Sequence, residues 1–195
     1  YSPSATNPVR CELCCFRLSD HVDALGALGF SFLEVGTVTP RPQAGQPRPR
    51  LFRLPSASAL INRMGFPNDG VAQVAARLSQ RIFPGVCGVN IGKNPATPLD
   101  AAAADYVECF RLAAPVADYI AVNVSSPNTK NLRQLQHADL LRPVLDALLV
   151  EQRRFHEVKE RRIPLLLKIA PDLPVEELSA VAEVIHAAGL DGVIA

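Results

Sequence analysis

The stretch Tyr119-Ile120-Ala121-Val122-Asn123-Val124-Ser125-Ser126-Pro127-Asn128-Thr129 joins an apolar run directly to a polar turn. The apolar part has the composition of a strand that is buried on both faces, as in parallel sheets. The polar part carries amides and hydroxyls, which donate and accept hydrogen bonds and therefore suit a planar heterocycle with C=O and N–H groups. The stretch therefore predicts a buried strand with a candidate site just beyond its carboxyl end.

Similar apolar runs recur along the chain and alternate with helical patterns. Further strands are predicted at 30–35, ending at Gly36, and at 85–90, 164–169 and 191–195. One helix is predicted after Thr97 as its N-cap and Pro98 at its first position. A long helix is predicted around Leu141, Leu145 and Leu148, and a last one from Pro174 to Gly189 with one buried stripe, formed by Val175, Leu178, Ala182 and Ile185.

Repeated β-α units with parallel strands allow either a doubly wound sheet or a (β/α)8 barrel. Polar residues stand at or just after strand ends and favour the barrel, although open sheets also place sites there. They are Thr37, Asn90, Asn123, Ser126 and Lys168.

Composition limits the possible partners and metals. The 195 residues carry 20 basic and 19 acidic side chains, which gives no reason to expect nucleic acid. The apolar runs are shorter than the ~18 residues that span a bilayer. Cys11-x-x-Cys14 is a weak metal or redox pattern, since His21 is the only nearby further ligand and the chain has no second such pair, so no metal is expected.

Residues 37–55 contain five prolines and four arginines, which predicts an extended or hairpin connection instead of a helix. A structured loop over a barrel mouth is favoured, with a proline-rich peptide ligand as the alternative. His21, His137, His156 and His186 lie outside the motifs and are expected to face solvent.

Seven motifs, in order along the chain, resemble those of dihydroorotate dehydrogenases. They are EVGTVTPRPQ at 34–43, PRPRLFRL at 47–54, INRMGF at 61–66, NIGKN at 90–94, NVSSPNT at 123–129, LKIAPDL at 167–173 and DGVIA at 191–195. Class 1 members of this family carry a catalytic cysteine in the fifth motif. Ser126 at that place resembles class 2, whose members pass electrons from FMN to a membrane quinone.

The resemblance implies a role for each matching residue in oxidising dihydroorotate to orotate, a step of pyrimidine synthesis. Ser126 would be the catalytic base, with Thr129 and Phe66 on its proton route. Substrate would be held by Asn62, Arg63, Met64, Gly65, Phe66, Asn123 and Asn128. FMN would contact Thr37, Asn90, Asn123 and Lys168.

The chain departs from the family pattern at both ends. Residues 10–17 replace a small-residue strand end that closes in Asp-Lys, and Arg17 cannot be assumed to replace that lysine. A shifted reading frame over this stretch would restore a composition closer to the family's. The chain also stops at Ala195, before the family's Thr-Asn-Thr stretch and the last two strands.

The expectation is therefore a partial FMN-binding barrel domain over 1–195, with about strands 1–6 of eight. The membrane-docking N-terminal helices and the FMN phosphate site are expected to be absent. The whole enzyme is expected to lie peripherally on the bacterial cytoplasmic membrane, or on the mitochondrial inner membrane. The alternatives are a truncated, non-catalytic gene product that binds no FMN, and another FMN barrel such as a tRNA dihydrouridine synthase, which the neutral charge and the motif series disfavour.

Overall fold

The computed structural model describes residues 10–13 and 18–195. Six parallel strands form one sheet, in the order β1 (Arg10–Leu13), β2 (Phe32–Val38), β5 (Val86–Ile91), β6 (Tyr119–Asn123), β7 (Leu165–Lys168) and β8 (Gly192–Ile194). Two further strands, β3 (Leu51–Leu54) and β4 (Ala59–Asn62), pair as an antiparallel hairpin. This hairpin confirms the extended character predicted for the end of the proline-rich connection.

Helices connect the parallel strands, as expected when each strand returns to the same sheet. They are α1 (Val22–Ala27), α2 (Val71–Leu78), α3 (Ala102–Ala113), α4 (Ala138–Lys159) and α5 (Val175–Ala188). Short 3-10 turns lie at Leu18–Asp20, Pro55–Ala57, Ala114–Val116 and Leu132–Gln136. Among the described residues, none of these helices combines the length and hydropathy needed to cross a bilayer.

The sheet has two different faces because side chains alternate along each strand. One face packs on the helices in the main core, with Leu33, Cys87, Val89, Ile120, Val122 and Leu167 fully buried. The opposite face, called the inner face below, carries Glu34, Gly88, Asn90, Tyr119, Ala121, Asn123 and Lys168. The inner face therefore holds most of the polar residues of the sheet.

The sequence predicted that strand β2 ends at Gly36, and this prediction is wrong. The strand continues to Val38, which pairs with Ile91 after an irregularity in register between Val35 and Val38. Gly36 has a φ of +132°, and a Cβ there would lie 2.4 Å from the carbonyl oxygen of Asn90. Glycine lets the strand bulge at this close approach, so the strand is interrupted but not ended.

Two helix predictions are wrong in detail. Helix α3 begins at Ala102, because the Thr97 hydroxyl donates to the Asp105 carboxylate (2.7 Å) and closes the preceding loop instead of capping the helix. In α5 the buried residues are Val181 and Val184, whereas the stripe predicted from Val175 is largely exposed. On that side, Leu178, Ala182 and Ile185 line an open groove together with Val193 of β8, the last strand of the described sheet.

Other expectations are confirmed. Leu141, Leu145 and Leu148 are fully buried on α4, and the four histidines are exposed. Independently of those expectations, Cys87 and Cys109 are buried free thiols, and burial raises the pKa of Cys87 to about 11. The Cys11–Cys14 pair and Arg17 lie outside the residues whose side chains the structure describes.

Candidate active site

A small cavity, open to solvent, lies between the end of β2, the segment after β4 and the loop after β6. It brings together most of the residues that the sequence assigned to catalysis and substrate binding. Its lining consists of Gly36, Thr37, Asn62, Met64, Gly65, Phe66, Pro67, Ser126 and Asn128.

Ser126 is half-buried in the loop that follows β6. Its Oγ accepts a hydrogen bond from the backbone N–H of Asn128 at 3.2 Å. A donor aimed at an oxygen favours the form of that oxygen that carries more negative charge. This contact would therefore favour loss of the hydroxyl proton from Ser126.

The amides of Asn62 and Asn128 meet at the cavity from two different elements. Asn128 Nδ2 donates to Asn62 Oδ1 at 3.4 Å, and the backbone N–H of Met64 donates to the same oxygen at 3.3 Å. The carbonyl of Asn128 accepts from Gln46 Nε2 at 3.0 Å. The β3–β4 hairpin is thus tied to the serine loop across the cavity.

The segment 63–66 reaches the cavity through a left-handed turn. Gly65 and Phe66 have φ values of +69° and +53°, and non-glycine residues adopt this region at an energetic cost that is often found at functional sites. Phe66 is buried and lines the cavity. Arg63 does not line it, because its guanidinium donates to the carbonyl of Pro49 (2.9 Å from Nη2). Substrate contact by Arg63 stays a prediction.

Thr129 is buried, and its Oγ1 has no hydrogen-bond partner among the described residues. Unsatisfied buried hydroxyls are uncommon and call for a water molecule or ligand as partner. Thr129 follows Ser126 by three residues in the same loop.

The residues predicted to contact the cofactor lie on the inner face. Thr37 Oγ1 donates to Asn90 Oδ1 at 2.6 Å and accepts from Asn123 Nδ2 at 2.9 Å. Lys168, which is half-buried, stands beside Asn123 in the strand register, so both side chains leave the sheet on this face. Thr37 also lines the cavity and therefore joins the two groups of site residues.

Sequence reasoning missed several residues that hold the site in place. Arg133 Nε donates to the carbonyl of Ser125 (3.1 Å), and its Nη1 donates to Asp172 (3.1 Å) and holds the pKa of that carboxyl below its usual value. Glu34 is buried in the middle of an apolar strand. An acidic residue within an apolar strand was the signal that could have identified Glu34, because a buried carboxylate requires hydrogen-bond or charged partners. The described residues include no group of three or more metal-ligating side chains.

Comparison with known proteins agrees with this geometry. The family described as "Dihydroorotate dehydrogenase" matches residues 4–195. A dihydroorotate dehydrogenase (quinone) of Chromobacterium violaceum is 50% identical over 189 residues, which are 97% of this chain and 55% of that protein. The corresponding protein of Nitrosospira multiformis is 49% identical with 54% of its length covered, so the chain spans about half the length of these curated relatives.

Solved structures give the same assignment. The crystal structure of a dihydroorotate dehydrogenase of Eimeria tenella in complex with ferulenol superposes with a TM-score of 0.83 at 37% identity, covering 95% of this chain and 55% of that one. Its ligand-free counterpart gives 0.76 at 42% identity, covering 85% and 51%. The parallel sheet is therefore part of a (β/α)8 barrel, as the strand-end residues indicated. By its motifs, its fold and the match over almost its full length, the chain belongs to the dihydroorotate dehydrogenase family, in its quinone-linked class.

Proposed function

We propose that the protein to which this chain belongs oxidises dihydroorotate to orotate with FMN and passes the electrons to a membrane quinone, in pyrimidine synthesis. The observation that carries the proposal is the cavity in which Ser126 faces Asn62, Asn128 and Thr37. These residues come from three segments far apart in the sequence. Their meeting is a property of the fold, and it unites a proton acceptor with groups that recognise a heterocycle.

The reaction removes a proton from C5 and a hydride from C6 and leaves a double bond between these carbons. Ser126 takes the C5 proton. A serine hydroxyl is a poor base, so placement and onward transfer of its proton must compensate. Thr129, whose buried hydroxyl has no hydrogen-bond partner among the described residues, would receive that proton, and Phe66, which lines the cavity, would border the route.

Substrate binding falls to the amides around the cavity. Asn62 and Asn128 each offer a donor and an acceptor, which matches the alternating C=O and N–H groups of the dihydroorotate ring. Asn123, whose side-chain oxygen accepts a hydrogen bond from the backbone N–H of Ser125, adds a further amide. Met64 and Gly65 close the cavity wall beside them.

The inner face fits the ring of FMN. Asn90, Asn123 and Thr37 are buried polar groups linked by hydrogen bonds, and Lys168 adds a cation beside them. When bound, FMN supplies the acceptor for the hydride, and a neighbouring cation stabilises the negative charge that reduction leaves. Residues beyond the length of this chain would hold the phosphate, since barrels commonly bind phosphate after strands 7 and 8.

The quinone and the membrane enter the proposal through the relatives. They are named dihydroorotate dehydrogenase (quinone) and are about twice as long as this chain. We place the whole protein peripherally at the membrane that holds its quinone, with a preceding segment as its contact. A non-catalytic product that binds no FMN is the second candidate for the chain of 195 residues alone, because the sheet edge at β8 leaves an apolar groove open.

An anaerobic titration tests the proposal. The complete reading frame that contains this chain is purified with its flavin, and the flavin absorbance is followed while dihydroorotate is added. Bleaching with one orotate formed per flavin supports the proposal, whereas flavin that stays oxidised contradicts it. The 195-residue chain is the parallel sample, and we expect it to show no bleaching.

A further inference from the structure

One hydrogen-bonded chain runs across the inner face from β6 through β2 and β5 and back to β6. It begins where Tyr119 Oη donates to Glu34 Oε2 (2.6 Å) and Asn90 Nδ2 donates to Glu34 Oε1 (2.9 Å). It continues through Thr37 Oγ1 to Asn90 Oδ1, Asn123 Nδ2 to Thr37 Oγ1, and Ser125 N and Oγ to Asn123 Oδ1. All six residues are at most 9% exposed.

The direction of every bond in this chain follows from Glu34. Both of its carboxylate oxygens accept, so Asn90 must turn its NH2 towards Glu34 and its oxygen towards Thr37. The single hydroxyl proton of Thr37 is then committed to Asn90, and Thr37 can only accept from Asn123. The far end is fixed independently, because the backbone N–H of Ser125 can only donate.

This order decides what the inner face can offer to a ligand. Each amide nitrogen has two hydrogens, and the chain uses one from Asn90 and one from Asn123. One N–H on each remains, whereas Thr37 has no proton to give. The face thus presents donors, which suits the carbonyl oxygens of a flavin ring.

The site of Glu34 is also shaped by its neighbours. The Tyr119 ring lies over Gly88, where a Cβ would come within 2.0 Å of Tyr119 Cζ, and it stacks on Phe32 with centroids 5.4 Å apart. Glu34, Gly88 and Tyr119 share one level of the sheet register. The phenol is therefore held at the carboxylate by packing as well as by its hydrogen bond.

We propose that Glu34 and Tyr119 are positioning residues that fix which end of the Asn90 amide faces the flavin. They act through Asn90 and do not touch the ligand. The proposal rests on the proposed function for the identity of that ligand, while the ordering itself is a property of the chain alone.

The test reverses one hydrogen bond while keeping it. Asn90→Asp sets a second carboxylate against Glu34, and we expect it to lower the thermal midpoint of the full chain by at least about 5 °C. The double variant Glu34→Gln/Asn90→Asp restores a donor–acceptor pair in the opposite direction, and we expect it to regain more than half of that loss. A double variant no more stable than Asn90→Asp overturns the role of Glu34.

The double variant Glu34→Gln/Asn90→Asp also distinguishes a positioning role from an effect on stability alone. Position 90 then carries only acceptors, so the complete reading frame with both changes should bind FMN at least about tenfold more weakly than the wild type, by flavin fluorescence. Wild-type affinity in a stable double variant overturns the proposal. A wild-type protein that does not bind FMN contradicts the proposed function. In that case the thermal midpoints of the variants still test the direction of the hydrogen bonds.

A second measurement needs no flavin and only single changes. The side-chain amide signals of Asn90 in ¹⁵N NMR spectra of the full chain should shift in Tyr119→Phe and in Glu34→Gln, while those of Asn128 stay in place. If the Asn90 signals are unchanged in both single variants, the proposal is overturned. This test stays decisive even if the double variant Glu34→Gln/Asn90→Asp does not fold.

Discussion

Gly88 determines how deeply the Tyr119 ring lies on the inner face. A Cβ at this position would lie within 2.5 Å of two ring atoms and the hydroxyl oxygen of that side chain, which is held between its neighbours. Because the ring cannot move without disturbing Phe32 and Glu34, Gly88→Ala should lower the free energy of unfolding by about 1–3 kcal/mol. Urea unfolding of the full chain measures this.

The same change in a Tyr119→Leu background is the control. A leucine lacks the distal ring atoms that the new methyl group meets, so Gly88→Ala should cost clearly less there. Equal costs in the two backgrounds would show that backbone freedom, and not contact with Tyr119, requires the glycine.

At this scale the sequence identified the residues that lie in polar motifs at strand ends. Thr37, Asn62, Phe66, Ser126 and Asn128 do meet in one cavity. Glu34 was missed as a participant because a single acidic residue in an apolar strand does not reveal its partners, which are 56 and 85 residues away. Side-chain direction across strands is a consequence of register, and register was not predictable from one sequence.

Among the elements, the loop after β6 is attached to the loop after β7. Arg133 bridges the Ser125 carbonyl and Asp172, and Gln136 Oε1 accepts from the backbone N–H of Ala170 (2.8 Å). Replacing Arg133 removes the hydrogen bond that holds the part of the loop that carries Ser126. We therefore expect Arg133→Ala to speed amide hydrogen exchange at 125–132 by about tenfold.

Arg142→Ala provides the matched comparison for that experiment. Arg142 is an exposed arginine on α4 whose ion pair with Asp146 is 3.7 Å long, and such pairs contribute little. Exchange at 125–132 should be unchanged in this variant. Similar exchange in both variants, or none faster than wild type, would refute the bridging role of Arg133.

Helices α3 and α4 are joined by a carboxylate between two arginines. Arg111 donates to Glu151 from Nε (2.8 Å) and Nη2 (2.9 Å), and Arg154 donates at 2.8 Å. The hydrogen bonds from Arg111, followed by the charges of both arginines, hold the pKa of Glu151 below its usual value despite burial. The ionised form is thus favoured by folding.

The sign of the pH effect follows from this direction. A lowered pKa in the folded state stabilises the protein above the ordinary carboxyl pKa of about 4.3, and the stabilisation is lost as the pH falls through the folded value. Glu151→Gln should be less stable than wild type at neutral pH, and the difference should shrink below about pH 4. Denaturant unfolding across this range, with Asp146→Asn as control, tests it; a difference independent of pH would contradict the assignment.

Element prediction succeeded where periodicity and burial coincide and failed where contacts outside the element decide. The apolar runs located five of the six parallel strands, β2 and β5 to β8, and Leu141, Leu145 and Leu148 located α4. Thr97 looked like a helix cap, but Asp105 attracts its hydroxyl. In α5 the periodic stripe was real in the sequence, yet burial depends on which neighbours cover it.

The whole molecule exposes an open apolar groove beside β8. Its lining includes Leu178, Ala182, Ile185 and Val193, of which Leu178 is 44% and Val193 47% exposed. Exposed apolar patches next to a strand edge favour association. We expect the 195-residue chain to self-associate as its concentration rises in sedimentation experiments.

Charges in the groove should oppose that association. Leu178→Glu combined with Val193→Glu is predicted to shift the chain towards monomer, whereas Val158→Glu, at a 74% exposed position on α4, should not. A wild-type chain that stays monomeric at all concentrations would contradict this view of the groove. So would an equal response of the two variants.

At the scale of the molecule, the barrel was predicted because polar residues follow several strands in turn. Alternation of strands and helices alone left a doubly wound sheet open, since both folds bury parallel strands in the same way. The family motifs and the solved relatives resolve that choice. The site then follows from the fold, because parallel strands bring their carboxyl ends to one side.

Under the proposed function, Ser126 takes the proton from dihydroorotate. The most direct test is the rate of flavin reduction by dihydroorotate in the complete reading frame, measured in single-turnover experiments for the wild type and Ser126→Ala. Ser79→Ala is the control, because Ser79 is exposed and its hydroxyl donates to the carbonyl of Ala76 in its own helix end (2.8 Å). We predict a loss of about 10²–10⁴-fold in Ser126→Ala with dihydroorotate binding retained, and an unchanged rate in Ser79→Ala. A Ser126→Ala protein that reduces its flavin at the wild-type rate would contradict the account.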